Sequence, residues 1–259
     1  MRGQFNKSQI DPLVIDPYFK QVVYVNNIND DSVTSNFGYD GTSGISQSAT
    51  PTVNRQTYAA KWGTAGMDKL TGTGIATNGY LKLGDTGVTN YAIGTRDFTM
   101  EMWIYYVSTS RTPTSSNFNF GIWSLNTVTG ASNKVWLMQF IGNANSALWK
   151  LNHDFYDGTN WNPPAVYFTP NTWNHICVCR QGTNMYSGTN GVVTLTRSTG
   201  GFNLSTIATN GTRLGTSANN ENQYNAYFDD VRMTVGFARY TSNYSVPEKQ
   251  LPIPTRPNN

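Results

Sequence analysis

Charge is what this 259-residue sequence has least of. It holds 15 acidic and 18 basic residues, together 13% of the chain, about half the usual share near 25%. The net charge of +3 is too small and too scattered for a nucleic-acid footprint. Long apolar runs are missing as well. None approaches the roughly 20 residues that cross a bilayer as a helix, and mean hydropathy is −0.44. Neither a nucleic-acid binder nor a membrane-inserted protein is expected.

Histidine and cysteine are equally scarce. His153 and His175 are the two histidines, and neither stands in a base-plus-nucleophile motif. For His175 the plainer reading is a satisfied imidazole in or near the core. Cys177 and Cys179 are two apart. On a strand they would point the same way with Cα atoms about 7 Å apart, which strains a disulfide. They form no C-x-x-C, and no further cysteine completes a zinc site. Two small apolar residues on one buried face is the simpler account. The opening Met1-Arg2-Gly3-Gln4-Phe5-Asn6-Lys7 has no apolar stretch of a secretory signal, so synthesis in a reducing cytoplasm is expected. Gly-rich stretches lack a Lys-Ser/Thr ending, which removes phosphate cradling.

The sequence is rich in uncharged polar residues and aromatics, with 24 Gly, 7 Trp, 12 Phe and 15 Tyr. That composition can build a large core and suits strands and turns. Short apolar-polar segments recur between turn clusters, and no long segment keeps a 3.6-residue period. Strands are expected at 22–28, 58–62, 80–83, 96–106, 118–125, 134–141, 147–151, 165–168, 172–180 and 227–235, with a loop over 37–51. The strand over 96–106 places Phe98, Met100, Met102, Ile104 and Tyr106 on one face, and Thr99, Glu101, Trp103 and Tyr105 on the other. Residues 172–180 repeat this two-sided pattern, with Trp173, His175, Cys177 and Cys179 opposite Ile176 and Val178. The expected fold is an all-β jelly-roll sandwich of two antiparallel sheets. The expected organisation is an extended arm over 1–16, a jelly-roll domain over 17–246 and a Pro-rich tail over 247–259.

Three segments carry a family resemblance. The first is Gly79-Tyr80-Leu81, followed by Asp97-Phe98-Thr99-Met100-Glu101-Met102-Trp103-Ile104-Tyr105. The second is Asn171-Thr172-Trp173-Asn174-His175-Ile176-Cys177-Val178-Cys179-Arg180, with its Trp-x-His and terminal Arg. The third is Phe228-Asp229-Asp230-Val231-Arg232-Met233-Thr234, then Gly236-Phe237-Ala238-Arg239-Tyr240-Thr241, then Tyr244 and Pro247. Together they resemble laminin-G-like domains of the concanavalin A-like lectin/glucanase superfamily, as found in structural proteins of tailed bacteriophages. The resemblance covers roughly 17–252, with Asp16-Pro17-Tyr18-Phe19 similar to the family opening and the Asn-Gly turn displaced to Asn190-Gly191. It implies a concanavalin A-like jelly roll. It also implies a virion protein on the capsid or in the tail apparatus, whose partners are other virion proteins in a homo-oligomer or larger assembly.

Function sits in sites carried by a fold, so each chemistry needs its own test. Hydrolases of the superfamily usually carry Glu-x-Asp-x-Glu on one strand, and glycoside hydrolysis needs two carboxylates about 5–9 Å apart. Here Glu101 stands alone, with Thr99 and Trp103 in the partner positions. Asp229 and Asp230 are adjacent and face opposite ways, while Asp154 and Asp157 fall in a loop. No catalytic residue is expected, and no cofactor. Asp230 and Arg232, two apart on a strand, suit a structural ion pair; the alternative is calcium on Asp229 or Asp230, for which no compact cluster supplies six to eight oxygens, so no metal site is expected. Carbohydrate recognition is the alternative function, with a host-surface glycan bound by Trp149, Tyr156, Asn160 and Trp161 in the aromatic-amide stretch 149–162. The other account of that stretch is a loop packed on the sandwich or a neighbour. Tyr186, Tyr224 and Tyr227 are weaker candidates of the same kind.

Overall fold

The long strands expected from two-sided alternation form the centre of the structure. The computed structural model describes residues 22–25, 45–47, 54–56, 59–62, 66–69, 81–83, 94–107, 118–126, 134–142, 149–154, 166–198, 212–214 and 226–249. The expected arm over 1–16 and the tail beyond 249 lie outside these residues. In chain order the strands are β1 (Val22–Val25), β2 (Ile45–Gln47), β3 (Asn54–Gln56), β4 (Gly66–Lys69) and β5 (Leu81–Leu83). They continue with β6 (Phe98–Tyr106), β7 (Phe118–Asn126), β8 (Lys134–Gly142), β9 (Trp149–Asp154) and β10 (Val166–Phe168). The last five are β11 (Trp173–Gln181), β12 (Asn184–Thr189), β13 (Val192–Ser198), β14 (Thr212–Leu214) and β15 (Ala226–Val235).

They assemble into two antiparallel sheets, an all-β jelly roll. One runs β13-β12-β11-β6-β15-β4-β3 and the other β10-β9-β8-β7-β14-β5-β2. In the first sheet β15 lies along β6 on one side. Its other side is shared, with Ala226–Phe228 on β4 and Val231–Thr234 on β1. The central strands of this sheet, β6, β11 and β15, therefore come from distant parts of the sequence.

Alternation and register explain the core. On β6, Met100, Met102 and Ile104 stand opposite Val178, Ile176 and Phe228 of the flanking strands. All six are fully buried, each worth about 1.5–3 kcal/mol of transfer from water. Arg180 ends this apolar row opposite Phe98. Its buried guanidinium donates from Nε to the Arg96 carbonyl at 2.8 Å and from an Nη to the Gly94 carbonyl at 2.7 Å, so it ties β11 to the turn that leads into β6.

Two hairpins order the edge of this sheet. Gly182, at φ +57°, opens the two-residue turn between β11 and β12. Asn190 and Gly191, at φ +49° and +89°, join β12 to β13, the paired positive φ values of a type I′ turn. The Asn190 side chain binds the turn to β11 by accepting from the His175 N–H and donating to Asn174 Oδ1, both at 2.9 Å.

Some expectations shift. Residues 59–62 form a turn rather than part of a strand, and β2 lies inside the stretch expected as loop. β3, β4, β12, β13 and β14 were not foreseen; β12 and β13 are rich in Gly, Ser and Thr and show little apolar alternation.

Candidate functional site

The face of the first sheet opposite the apolar row carries most of its chemistry. Register sets four cross-strand rows from β11 through β6 to β15. They are Cys179–Thr99–Thr234, Cys177–Glu101–Arg232, His175–Trp103–Asp229 and Trp173–Tyr105–Tyr227. A bulge between Asp229 and Arg232, with Asp230 at φ +52°, returns Arg232 to this face. That break also removes the simple i, i+2 parity on which the expected Asp230–Arg232 pair rested. Across the strands, Arg232 binds Glu101.

The segment 236–247, which follows β15, closes the first three rows as a strap. Its path begins on Thr99, whose hydroxyl donates to the Phe237 carbonyl and accepts from the Arg239 N–H, both at 2.9 Å. It ends on the β12–β13 hairpin, where the Tyr244 N–H donates to the Gly191 carbonyl at 2.9 Å and Asn243 Oδ1 accepts from the Val193 N–H at 2.9 Å. Glycines make that approach possible. A Cβ on Gly191 would stand 2.6 Å from the Tyr244 carbonyl oxygen, and one on Gly188 would stand 2.6 Å from Cys177 Sγ.

Glu101 is the hub beneath the strap and is 0% exposed. Its Oε1 accepts from Arg232 Nε at 2.8 Å and from an Arg232 Nη at 2.6 Å, with Arg239 Nε 3.5 Å away. Its Oε2 accepts the Tyr240 hydroxyl and lies 3.5 Å from His175 Nε2. Burial alone would raise this carboxyl, but Arg232, then His175 and Arg239, hold it well below the usual carboxylate range. The other edge of His175 meets the Tyr244 hydroxyl at 2.6 Å through Nδ1. A proton on Nε2 is favoured by the carboxylate and leaves Nδ1 to accept from Tyr244.

The remaining groups are equally committed. Cys177 and Cys179 are buried free thiols, as expected. Burial and its neighbour Cys179 push the Cys177 thiol up. Burial and the Glu101 charge push the Tyr240 phenol well up, and burial does the same to Tyr244. Glu101, paired with two guanidiniums and a phenol, makes the cluster a charge-assisted clamp on the strap.

The fourth row is different. Trp173, Tyr105 and Tyr227 are half-buried. Tyr105 stacks on Tyr227 with centroids 5.4 Å apart and meets Trp173 edge-on at 5.8 Å. Beside them the turn 59–62 packs on Trp103. Asp229 holds that turn by accepting the Lys61 and Trp62 N–H groups, each at 2.7 Å; burial raises its carboxyl. The Lys61 ammonium lies 4.5 Å from the Trp103 centroid and 4.8 Å from that of Trp62.

The family model Laminin_G_3, of the concanavalin A-like lectin/glucanases superfamily, matches residues 75–234, more than half of the chain. The chain belongs to this laminin-G-like family. No curated protein matches it by sequence. Among solved structures it is similar to a receptor binding domain, with a TM-score of 0.52 and 13% identity over 88% of this chain and 51% of that one. Botulinum neurotoxin serotype D binding domain gives 0.49 and 13% over 86% and 49%. Alginate lyase from Alteromonas sp.272 gives 0.44 and 9% over 74% and 94%. The laminin-G-like chain thus spans about half the length of the binding-domain chains it matches, and at 13% identity the likeness with a TM-score of 0.52 speaks to the fold alone.

Of the candidate sugar-binding residues, Trp149 begins β9 opposite Phe168, while Tyr156, Asn160 and Trp161 lie outside the described residues, as does Tyr224. Tyr227 enters the half-buried aromatic row. Sequence reasoning placed Glu101 and His175 on strand faces but missed their union with Arg232, Arg239, Tyr240 and Tyr244. The signal available was the alternation of β6 and β11, which puts Glu101 and His175 on one side; Arg232 reaches that side only through the bulge and the others only through the strap.

Proposed function

We propose that this laminin-G-like protein is a non-enzymatic structural protein of a tailed-phage particle, decorating the capsid or forming part of the tail apparatus and acting through surface contacts. The observation that carries the non-enzymatic reading is the state of Glu101. It is the sole acid of β6, the strand where related hydrolases place their acids, and it is sealed, paired and held ionised. A general acid needs a proton to give near the working pH and a path to substrate; Glu101 has neither. The phage context rests on the resemblance of Phe228–Thr234 and Gly236–Tyr240, the residues that here build β15 and the start of the strap. A map of the intact particle should place the chain on head or tail. Removing residues 1–16 should abolish its incorporation while the domain still folds. Normal incorporation of that truncation would overturn docking through the arm.

A second reading, carbohydrate binding, is favoured by the half-buried row Trp173, Tyr105 and Tyr227. Aromatic faces left partly open to solvent suit sugar rings. Retention of host polysaccharide by the isolated protein tests it, and absence of reducing-end release from that polysaccharide separates binding from hydrolysis.

A further inference from the structure

We infer that the outer side of β13 is a self-association edge that pairs with β13 of a second copy of this chain, and that Asn243 of the strap keeps it closed in the isolated protein. This goes beyond the particle reading and holds or fails independently of it. β13 ends its sheet, so one side of it meets no strand among the described residues. It runs for seven residues, against three in each of β2, β3 and β10 at the other sheet ends and four in β1 beside β15. Short strands, charges and prolines are the usual guards of an edge. The stretch Val192-Val193-Thr194-Leu195-Thr196 carries neither charge nor proline. Val192 is 59% exposed, more than any other large hydrophobic side chain among the described residues.

Register fixes which groups that edge offers. The type I′ turn closes on Thr189 and Val192, which bond each other, so Gly188 and Val193 form the next, non-bonded pair. Val193 therefore turns its N–H and C=O outward, and Leu195, two residues on, does the same. The Val193 N–H donates to Asn243 Oδ1 at 2.9 Å, in keeping with that direction. Tyr244, the next residue of the strap, is pinned on the Gly191 carbonyl. Past Leu195 the ladder with β12 shifts by one residue, and the regular edge ends. Two such edges, antiparallel about a two-fold axis at Thr194, set Val193 of each copy opposite Leu195 of the other and Thr194 opposite Thr194. Apolar residues then meet apolar ones, a hydroxyl meets a hydroxyl, and no like charges are opposed. One patch used twice is what a two-fold contact requires, so the occupant this edge fits is a second copy. That ladder needs the Val193 N–H of both copies, and Asn243 holds it in each.

The test is sedimentation of the full chain over a range of concentrations. Asn243→Ala frees the Val193 N–H and should tighten self-association about tenfold relative to the wild type. Thr194→Lys added to Asn243→Ala sets two ammonium groups face to face across the axis and should reverse that gain. Val192→Lys serves in its place should Thr194→Lys fail to fold. Hydrogen exchange gives a second readout: in Asn243→Ala the Val193 and Leu195 amides should gain protection as concentration rises. A folded Asn243→Ala chain that associates no more than the wild type overturns the inference. So does tightened association that survives the lysine variants, or protection gained elsewhere than on β13, since either places the contact on another surface. Particle incorporation is read separately, and its failure bears on the particle reading alone.

Discussion

Two halves of one sheet face, built on the same three strands, have opposite fates. Rows from Cys179–Thr99–Thr234 to His175–Trp103–Asp229 are polar at their centre and buried. The next row, Trp173–Tyr105–Tyr227, is aromatic and half-buried. Composition alone would assign them the other way, with aromatics inside and charges outside. The strap decides the matter. Residues 236–247 bring Arg239, Tyr240 and Tyr244 onto the polar rows, so the carboxylate is sealed only because every one of its oxygens gains donors. Buried charge is tolerated when paired and hydrogen-bonded, and a polar sheet face can therefore be an interior. Polarity marks where the strap lands.

The comparison is broken most severely by removing the hub. Glu101→Ala removes the carboxylate that Arg232 binds and should cost about 3–5 kcal/mol, measured as the urea unfolding free energy. Gly191→Ala attacks the strap from the hairpin side. Its positive φ and the Tyr244 carbonyl 2.6 Å from the new Cβ should cost about 1–3 kcal/mol, with faster proteolysis within 236–247. Tyr240→Phe removes one charge-assisted hydrogen bond and should cost about 1.5–3 kcal/mol. On the open half, Trp173→Ala should lower stability by no more than about 1.5 kcal/mol, since a half-buried ring has less to lose. A larger cost there than at Tyr240 would erase the contrast.

Much of the sealed half was hidden in the sequence for a physical reason. The parity of β6 and β11 was legible, because each strand is long and bulky on both faces, and so was the burial of Cys177 and Cys179. Which strands would be neighbours was not legible, since β6, β11 and β15 are separated by long stretches and only hydrogen-bonded register brings Glu101 to Arg232. The bulge at Asp230 defeats parity counting on β15. The strap has no periodicity at all; its residues showed only as a family-like ending, and although Asn190-Gly191 marked the hairpin turn, nothing in the sequence said that the strap would land on it. The aromatic row was half legible, with Tyr227 singled out and its two partners hidden by the same unknown register.

The central claim is that Glu101 is a sealed, permanently ionised clamp. Its folded pKa lies below its unfolded one, near 4.3. The stability it contributes is therefore complete above that pH and drains away as pH falls below it. The most direct measurement is the Glu101 side-chain carboxyl signal, followed by carbon-13 NMR as pH falls from 7 to 3. A signal that stays at its ionised position until the protein unfolds is the predicted result. A titration between about pH 5 and 7 with the fold intact, as a general acid would show, would contradict it.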